Sequence, residues 1–333
     1  MRPTFLPRTA GQTPFDDPGV YVGFAHARRA LLFDIGQPSA LTSRDLVKVS
    51  HVFVSHTHMD HFIGFDHLVR VLLGRNKDLF LYGPPGFLQN VEGKLAGYSW
   101  NLVENYESRF RIIATEVCPE RRVTRTYACQ KAFAPEGGAT HAHAGPLLAE
   151  DPFKVEAVFL DHKIPCLAFC LAERFHVNVM ADRLADMGLV TGPWLADMKQ
   201  ALWAGKPGST RLVAPTTEGG ERVLTLKEAS ERLVRFSPGQ KIAYVTDCVY
   251  SPENEARILS LAGGCDHLFI EAAFLDEDKE EAARKHHLTA RQAGDLARRA
   301  GARDYTLLHF SPRYADREDD LQNEAKRAFE AKG

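Results

Sequence analysis

The stretch Val52-Phe53-Val54-Ser55-His56-Thr57-His58-Met59-Asp60-His61 decides how this chain folds and where its chemistry lies. Its apolar first half predicts a buried strand, and a helix is expected to begin near Asp60. His56 and His58 lie two residues apart in an extended segment, so their side chains project on one side and can share a metal ion. Asp60 and His61 follow one turn later and can face a second ion, because zinc binds imidazole nitrogen and carboxylate oxygen.

A polar turn that carries histidines by chance is the structural alternative for this stretch. Three imidazoles and one carboxylate within six positions, directly after a buried strand, are poorly explained by such a turn. Buried polar groups without partners cost free energy, so a fold would not gather them without a reason. The spacing therefore favours a metal site.

The composition predicts a folded protein with a large core. The chain has 333 residues, of which 44% are hydrophobic and 25% are charged, and this excludes disorder as the main state. Its 41 basic and 43 acidic side chains give a net charge of −2, which excludes a strongly basic nucleic-acid-binding protein but not a local basic patch. No apolar run approaches the roughly 18 residues of a membrane span, and the N-terminus lacks the apolar stretch of a secretory signal. We therefore expect a cytoplasmic protein without a membrane segment.

Short apolar runs alternate with amphipathic stretches along the whole chain, which indicates an α/β fold. We predict strands at 20–25, 30–35, 51–55, 79–82, 154–160, 166–171, 242–246, 267–270 and 305–308, and helices at 289–299 and 316–329. The segment 119–145 is polar, and we expect it to be an irregular excursion from the fold.

Three further candidate ligands each follow a predicted strand: His162, Asp247 and His309. Ends of neighbouring strands meet at one edge of a sheet, where α/β proteins usually place their sites. We therefore expect these three side chains to join the first cluster. His141 and His143 form another His-x-His pair in the polar segment. We assign them to a loop, and they remain the rivals of His162 for metal binding.

This set of motifs resembles the metallo-β-lactamase superfamily. The similarity rests on the His-x-His-x-Asp-His stretch and on Leu32-Phe33-Asp34-Ile35-Gly36 before it. It implies an α/β fold that is a four-layer αββα sandwich, with two divalent metal ions at the edge of the sheets. Zinc is expected, and manganese suits the same ligands. We assign His56, His58 and His162 to one ion, Asp60, His61 and His309 to the other, and Asp247 to a bridge between them.

The C-terminal part is similar to ribonuclease Z, an endonuclease family that trims the 3′ trailers of tRNA precursors. The stretches that carry the similarity are 269–275, 287–289 and 307–314. The resemblance implies a phosphodiesterase in which metal ions activate a water molecule and offset the charge on phosphate. Its candidate catalytic residues are Asp60, Glu271 and His287. His287 would be the general acid, and Glu271 would orient it and raise its pKa through an ion-pair hydrogen bond.

Three residues near these motifs could have structural or surface roles and no part in catalysis or binding. His287 could be a surface residue at the start of a helix that Thr289 caps, and its neighbour His286 is expected to face solvent. Arg313 could bind a substrate phosphate through two hydrogen bonds, or it could pair with the acidic run at 316–320.

The resemblance also bears on domain organisation and partners. We predict a single domain over 1–333, with the excursion at 119–145 and a substrate-binding arm within 174–213. Trp194 and Trp203 in that arm could stack on RNA bases, although packing is the favoured role. The expected substrate is precursor tRNA, with a small phosphodiester as the alternative, and the family implies a homodimer.

Several positions depart from the ribonuclease Z pattern. Met59 stands where the family has Gly, and Phe5–Thr9 and Gly64–Leu68 differ from the corresponding family motifs. These changes leave the candidate ligands intact and alter their surroundings. A second hypothesis is therefore a hydrolase of a small ester, lactone, sulfate or cyclic phosphodiester. A binding protein with a vestigial site is disfavoured, because packing alone does not explain seven metal-binding side chains in register.

Overall fold

The chain forms two large β-sheets with flanking helices, together with two small two-stranded sheets. The structure is a computed structural model that describes residues 4–25 and 27–331. The strands are β1 Phe5–Thr9, β2 Val20–Phe24, β3 Ala30–Phe33, β4 Val49–Phe53, β5 Lys77–Gly83, β6 Phe110–Val117, β7 Arg121–Ala128, β8 Pro135–Ala142, β9 Leu148–Glu150, β10 Phe153–Asp161, β11 Pro165–Glu173, β12 His176–Val179, β13 Arg211–Pro215, β14 Glu221–Thr225, β15 Val234–Ser237, β16 Lys241–Val245, β17 His267–Glu271 and β18 Tyr305–Leu308.

The helices flank these sheets and are mostly short. They are α1 Ser43–Leu46, α2 Met59–Phe62, α3 Phe65–Leu72, α4 Phe87–Ala96, α5 Ala181–Asp186, α6 Trp194–Trp203, α7 Leu226–Leu233, α8 Pro252–Ala262, α9 Lys279–Lys285, α10 Ala290–Arg299 and α11 Glu318–Phe329. The predicted strands and helices are all confirmed, with bounds that differ by at most two residues. Within 4–25 and 27–331, no helix has the length and apolar character needed to cross a membrane.

The first large sheet has the strand order β1-β2-β3-β4-β5-β6-β7-β8. Strands β3 to β6 run parallel, and the strands on either side pair antiparallel. All of β3 and most of β4 are buried, which explains their continuous apolar sequences. The parallel strands end at a common edge of the sheet, and β4 delivers the segment 56–61 to that edge.

Helix α3 covers one face of this sheet. Its buried residues are Phe65, Leu68, Val69 and Leu72, and this spacing places them on one side of the helix. They belong to the same core cluster as Val52 on β4. The helix that follows the histidine-rich segment is therefore anchored by burial of its apolar face.

The second large sheet has the strand order β18-β17-β16-β11-β10-β9, with β16, β17 and β18 parallel. Aromatic rings from both sheets meet between them. Phe33 on β3 stacks on Phe169 of β11 and on Tyr244 of β16, with ring centroids 5.6 and 6.0 Å apart. Phe53 on β4 lies 5.7 Å from Phe169. These contacts make the inner faces of the two sheets a shared apolar layer, as in other sheet-on-sheet packings.

The chain divides into two compact units. The larger comprises 5–147, 156–170 and the residues from Ile242 onward, and the smaller comprises Thr4, 148–155 and 171–241. The smaller unit has its own core, to which Trp194, Met198, Leu212 and Leu233 contribute. The indole nitrogens of Trp194 and Trp203 donate to backbone carbonyls within this unit, so the packing role predicted for both is confirmed. The single-domain organisation and the arm within 174–213 stay predictions.

The expectation that 119–145 is irregular was wrong. Strands β7 and β8 form an antiparallel pair there, at the edge of the first sheet, with one shift of register between Thr124 and Thr126. Nearly every residue of β8 is exposed, and an exposed edge strand needs no apolar face. Its polar composition therefore resembles that of a loop. His141 lies on β8 and not in a loop.

Helices α10 and α11 approach each other closely at Gly294. A Cβ atom at this position would lie 2.1 Å from the carbonyl oxygen of Ala325. Gly93 on α4 is the contrasting case, because an added Cβ there meets nothing within 4 Å. Both glycines lie inside helices, so only their surroundings differ.

We expect Gly294→Ala to lower the free energy of unfolding by about 1–3 kcal/mol, because the methyl group overpacks the helix contact. We expect Gly93→Ala to raise it by roughly 1 kcal/mol, because alanine is the better helix former and has room. Denaturant unfolding of both variants beside the wild type measures the two effects. Stabilisation by both substitutions would contradict the close approach at Gly294.

Candidate metal centre

The side chains that sequence analysis singled out as ligands lie at the ends of four strands in the larger unit. The segment 56–61 follows β4, His162 follows β10, Asp247 follows β16 and His309 follows β18. Their ligand atoms form groups in which every atom lies within 4.8 Å of the others. His141 and His143 belong to none of these groups among the described residues. The Nδ1 atom of His143 instead donates to the carbonyl of Cys118 at 2.7 Å.

One group consists of His56, His58, His162 and Asp247. The ring centroids of His56 and His58 are 4.4 Å apart, and those of His58 and His162 are 5.2 Å apart. Asp247 Oδ2 lies 3.6 Å from His56 Nε2 and 3.4 Å from His162 Nε2. Three imidazoles and one carboxylate thus face a common point.

A second group consists of Asp60, His61 and His309. Asp60 Oδ2 lies 3.4 Å from His61 Nε2 and 3.1 Å from His309 Nε2. Asp247 Oδ2 is also 3.3 Å from His61 Nε2. The Asp247 carboxylate therefore adjoins both groups, as a bridging ligand would.

In the part of the chain that the structure describes, three buried nitrogen atoms of this cluster have no hydrogen-bond partner: His56 Nε2, His61 Nε2 and His309 Nδ1. Buried polar atoms of this kind are rare and call for an explanation. Metal coordination would satisfy them, and imidazole nitrogen with carboxylate oxygen is a donor set that suits divalent ions such as zinc. The residues present therefore fit divalent metal ions.

Hydrogen bonds on the far side of three of the rings orient their metal-facing nitrogens. The Nδ1 atom of His61 donates to Asp34 Oδ2 at 2.8 Å. The Nδ1 atom of His162 donates to the carbonyl of His286 at 2.8 Å, and that of His56 donates to Ser55 Oγ at 3.1 Å. Such outer partners fix the tautomer and the orientation of a ligating histidine.

Asp34 holds the centre of this arrangement. Its carboxylate accepts hydrogen bonds from Ser55 N and Oγ, both at 2.6 Å, and from the Tyr244 hydroxyl at 2.8 Å, in addition to His61. The structural role of Asp34 was not predicted, because in the sequence this residue stands out only as part of a family motif. Its place at the end of an apolar strand was the available signal.

The solvent-facing prediction for His286 was wrong, since this residue is half-buried and its carbonyl holds His162.

Burial and nearby carboxylates shift the pKa values of the cluster in opposite directions. Burial, reinforced by the neighbouring His61, lowers the pKa of His56 to about 2, so this imidazole is neutral. Burial would also lower the pKa of His61, but Asp247 and Asp34 outweigh it and hold that pKa well above the ordinary value. A histidine must lose its proton to bind a metal ion. Protons and metal ions therefore compete at His61.

Glu271 and His287 form a buried pair beside the cluster. His287 Nδ1 donates to Glu271 Oε2 at 2.8 Å, and the backbone nitrogen of Cys248 donates to Glu271 Oε1 at 2.9 Å. Burial opposes protonation of His287, but Glu271 outweighs it and raises the pKa of the imidazole. The His287 ring centroid lies 5.0 Å from that of His162 and 5.3 Å from that of His309. Thr289 caps helix α10 with a full capping box. His287 therefore lies just before a capped helix and also beside the cluster.

A cavity of about 480 Å³ opens onto these residues. Its lining consists of His58, Asp60, His162, Lys163, Ile164, Asp247, Arg284, Lys285, His286, His287 and His309. Arg313 is absent from this lining, and its Nη1 atom lies 3.4 Å from Asp278 Oδ2. The alternative prediction, in which Arg313 pairs with the acidic run at 316–320, was therefore wrong. The arrangement combines side chains that could hold metal ions, a hydrogen-bonded Glu–His pair and an open cavity.

Comparison with known proteins places this site in a family. A model described as "Beta-lactamase superfamily domain" matches residues 17–123 and 212–310. A ribonuclease Z from Deinococcus radiodurans is 35% identical over 292 residues, which cover 86% of this chain and 83% of that protein.

Solved structures support the fold. The short form of human tRNase Z has a TM-score of 0.53 at 17% identity, covering 94% of this chain and 93% of that one. The metallo-β-lactamase-fold protein YhfI from Bacillus subtilis has a TM-score of 0.52 at 18% identity, covering 94% and 86%. The α/β metallo-β-lactamase fold expected from the sequence is thus confirmed. The chain belongs to the ribonuclease Z family of the β-lactamase superfamily and is a metal-dependent hydrolase.

Proposed function

We propose that this protein hydrolyses phosphodiester bonds in RNA, that its substrate is the 3′ trailer of precursor tRNA, and that it uses two divalent ions, with zinc expected. The observation that carries the proposal is the Glu271–His287 pair at the cavity beside the candidate ligands. An RNA hydroxyl is a poor leaving group and needs a proton donor, whereas many small activated esters do not. The relatives named ribonuclease Z, which are similar over most of the length of this chain, support the same assignment.

The ligand assignment follows the two groups of side chains. His56, His58 and His162 would hold one ion, Asp60, His61 and His309 would hold the other, and Asp247 would bridge them. When bound, such a pair of ions lowers the pKa of a water molecule and offsets the charge on phosphate oxygens. Manganese remains the alternative metal, because it accepts the same donor set.

The chain's own residues supply positioning and proton transfer. Glu271 holds His287 through Nδ1, which leaves Nε2 as the atom that can donate a proton to the departing oxygen. Glu271 is itself fixed by backbone donors, so the imidazole is pre-oriented. Asp60 lines the cavity with a partly exposed carboxylate and could orient the attacking water. A phosphate contact by Arg313 stays a prediction.

We also propose a substrate-binding arm, a homodimer and a cytoplasmic location. The segment 174–213 lies in the smaller unit, whose independent core would support a substrate-binding arm. A homodimer and a cytoplasmic location remain predictions from the family resemblance and the sequence.

We expect the wild-type protein to bind about two equivalents of zinc after metal removal and reloading, measured by elemental analysis. Asp247→Asn should reduce this to one equivalent or less, because a bridging carboxylate serves both ions. His67→Ala is the matched control, since this exposed histidine lies on α3 outside every ligand group. One equivalent in the wild type would contradict the two-ion site.

We expect cleavage of precursor tRNA that carries a 3′ trailer, with release of the trailer as a discrete fragment on a denaturing gel. The control substrates are mature tRNA and bis-p-nitrophenyl phosphate, which contains a single diester. Turnover of the small diester alone, with intact precursor tRNA, would favour the alternative hydrolase of small esters or cyclic phosphodiesters.

The loss of activity in His287→Ala, compared between two substrates, tests whether His287 is the proton donor. We expect kcat for RNA to fall by about 10²–10⁴, the usual contribution of a general acid. Hydrolysis of bis-p-nitrophenyl phosphate should fall much less, because p-nitrophenolate leaves without protonation. Glu271→Gln should show the same substrate dependence with a smaller loss, and His67→Ala should show neither. Equal losses on both substrates would argue that His287 only maintains the structure.

A further inference from the structure

Three cationic side chains line the cavity: Lys163, Arg284 and Lys285. Arg284 is engaged by Glu281 through hydrogen bonds of 2.8 and 2.6 Å. Lys285 lies 3.5 Å from the same carboxylate and above the ring of Phe274. In the part of the chain that the structure describes, Lys163 alone among the three has no carboxylate within ion-pair distance. Its positive charge is therefore available to a ligand in the cavity.

The backbone at Lys163 adopts a conformation that lysine rarely takes. The residue lies in the three-residue turn between β10 and β11, with φ of 66°. Its backbone nitrogen donates to Asp161 Oδ1 at 2.9 Å, and the nitrogen of His162 donates to the carbonyl of Ile164 at 3.2 Å. Glycine or asparagine suits a left-handed turn position better. Strained backbone conformations of this kind cluster at active sites and ligand-binding sites.

We propose that Lys163 binds a non-scissile phosphate of the RNA backbone, next to the phosphate held at the metal cluster. This inference rests on the proposed function, because it presupposes a polyanionic substrate. Lys163 follows His162 directly, so the tight turn that positions a candidate ligand also places the backbone of Lys163 at the cavity, within reach of its side chain. Lysine binds phosphate as a point charge. Lys163 thus distinguishes an RNA chain from a substrate with one phosphodiester.

The test compares Lys163→Gln, Lys163→Gly and Lys163→Arg with the wild type on precursor tRNA and on bis-p-nitrophenyl phosphate. Gln removes the charge, Gly removes the side chain and suits the left-handed turn, and Arg restores the charge. Lys326→Gln is the matched control, because it removes one positive charge from an exposed site on α11. KM, kcat and their dependence on salt concentration are measured for each variant, together with the melting temperature.

We expect Lys163→Gln and Lys163→Gly to raise KM for RNA about tenfold with little change in kcat, as loss of a charge-assisted contact implies. The ratio of kcat/KM for RNA to that for the small diester should fall by a similar factor. The slope of log kcat/KM against log salt concentration should become shallower by about 0.7–0.9, which is the contribution of one phosphate contact. Arg should rescue KM, and Gly should keep the melting temperature, which separates binding from folding.

Two results would overturn the proposal. If the wild type cleaves precursor tRNA and Lys163→Gln leaves its KM and salt dependence as in Lys326→Gln, Lys163 makes no phosphate contact. If the wild type hydrolyses only the small diester, the proposed function itself fails and the role of Lys163 fails with it. The wild-type measurement therefore distinguishes the two failures.

Discussion

The buried carboxylate of Asp34 is the interaction on which the rest of this structure depends. It accepts hydrogen bonds from Ser55, His61 and Tyr244, so it joins β3, the loop after β4, and β16 of the other sheet. A buried charge is tolerated only when donors surround it, and here they do. The same bonds that satisfy Asp34 fix the ring of His61 and the loop that carries His56 and His58. Fold stability and ligand orientation are therefore properties of one hydrogen-bond network.

Backbone strain is concentrated around this network. Asp34, Lys163, Asp247, His286 and His309 all have φ between 43° and 66°, a region that non-glycine residues seldom occupy. Each lies just after a strand, in the turn between two strands or, for His286, at the C-terminus of α9. Such conformations cost free energy and persist where packing and hydrogen bonds over-determine them. The buried strands and the Asp34 network provide that constraint, which allows side chains from four strand ends to converge on one place.

Short-range patterns predicted nine of the strands, and the helices α10 and α11, to within two residues. They also separated His162, which follows the partly buried strand β10, from His141 and His143, which lie at or just after the exposed strand β8. Long-range contacts could not be read in this way. Asp34 and Tyr244 are 210 positions apart, and the partner of Arg313 proved to be Asp278 because the chain folds back on itself. Strands β7 and β8 were missed because exposed edge strands and loops share a polar composition. The roles of the candidate ligands and of Glu271 and His287 stay predictions.

The net charge of −2 was a weak guide to the substrate, for a reason that the structure makes concrete. Asp60, Asp247 and Glu271 count as negative in the sequence, yet they face imidazoles whose free nitrogens suit divalent ions. Two such ions would add four positive charges at the point where a phosphate would lie, and no count of side chains includes them. Arg284 and Lys285 are partly neutralised by Glu281, so formal charge overstates their attraction for an anion. The attraction of this cavity for a polyanion would therefore depend on the number of charges without partners, and not on the total number of charges.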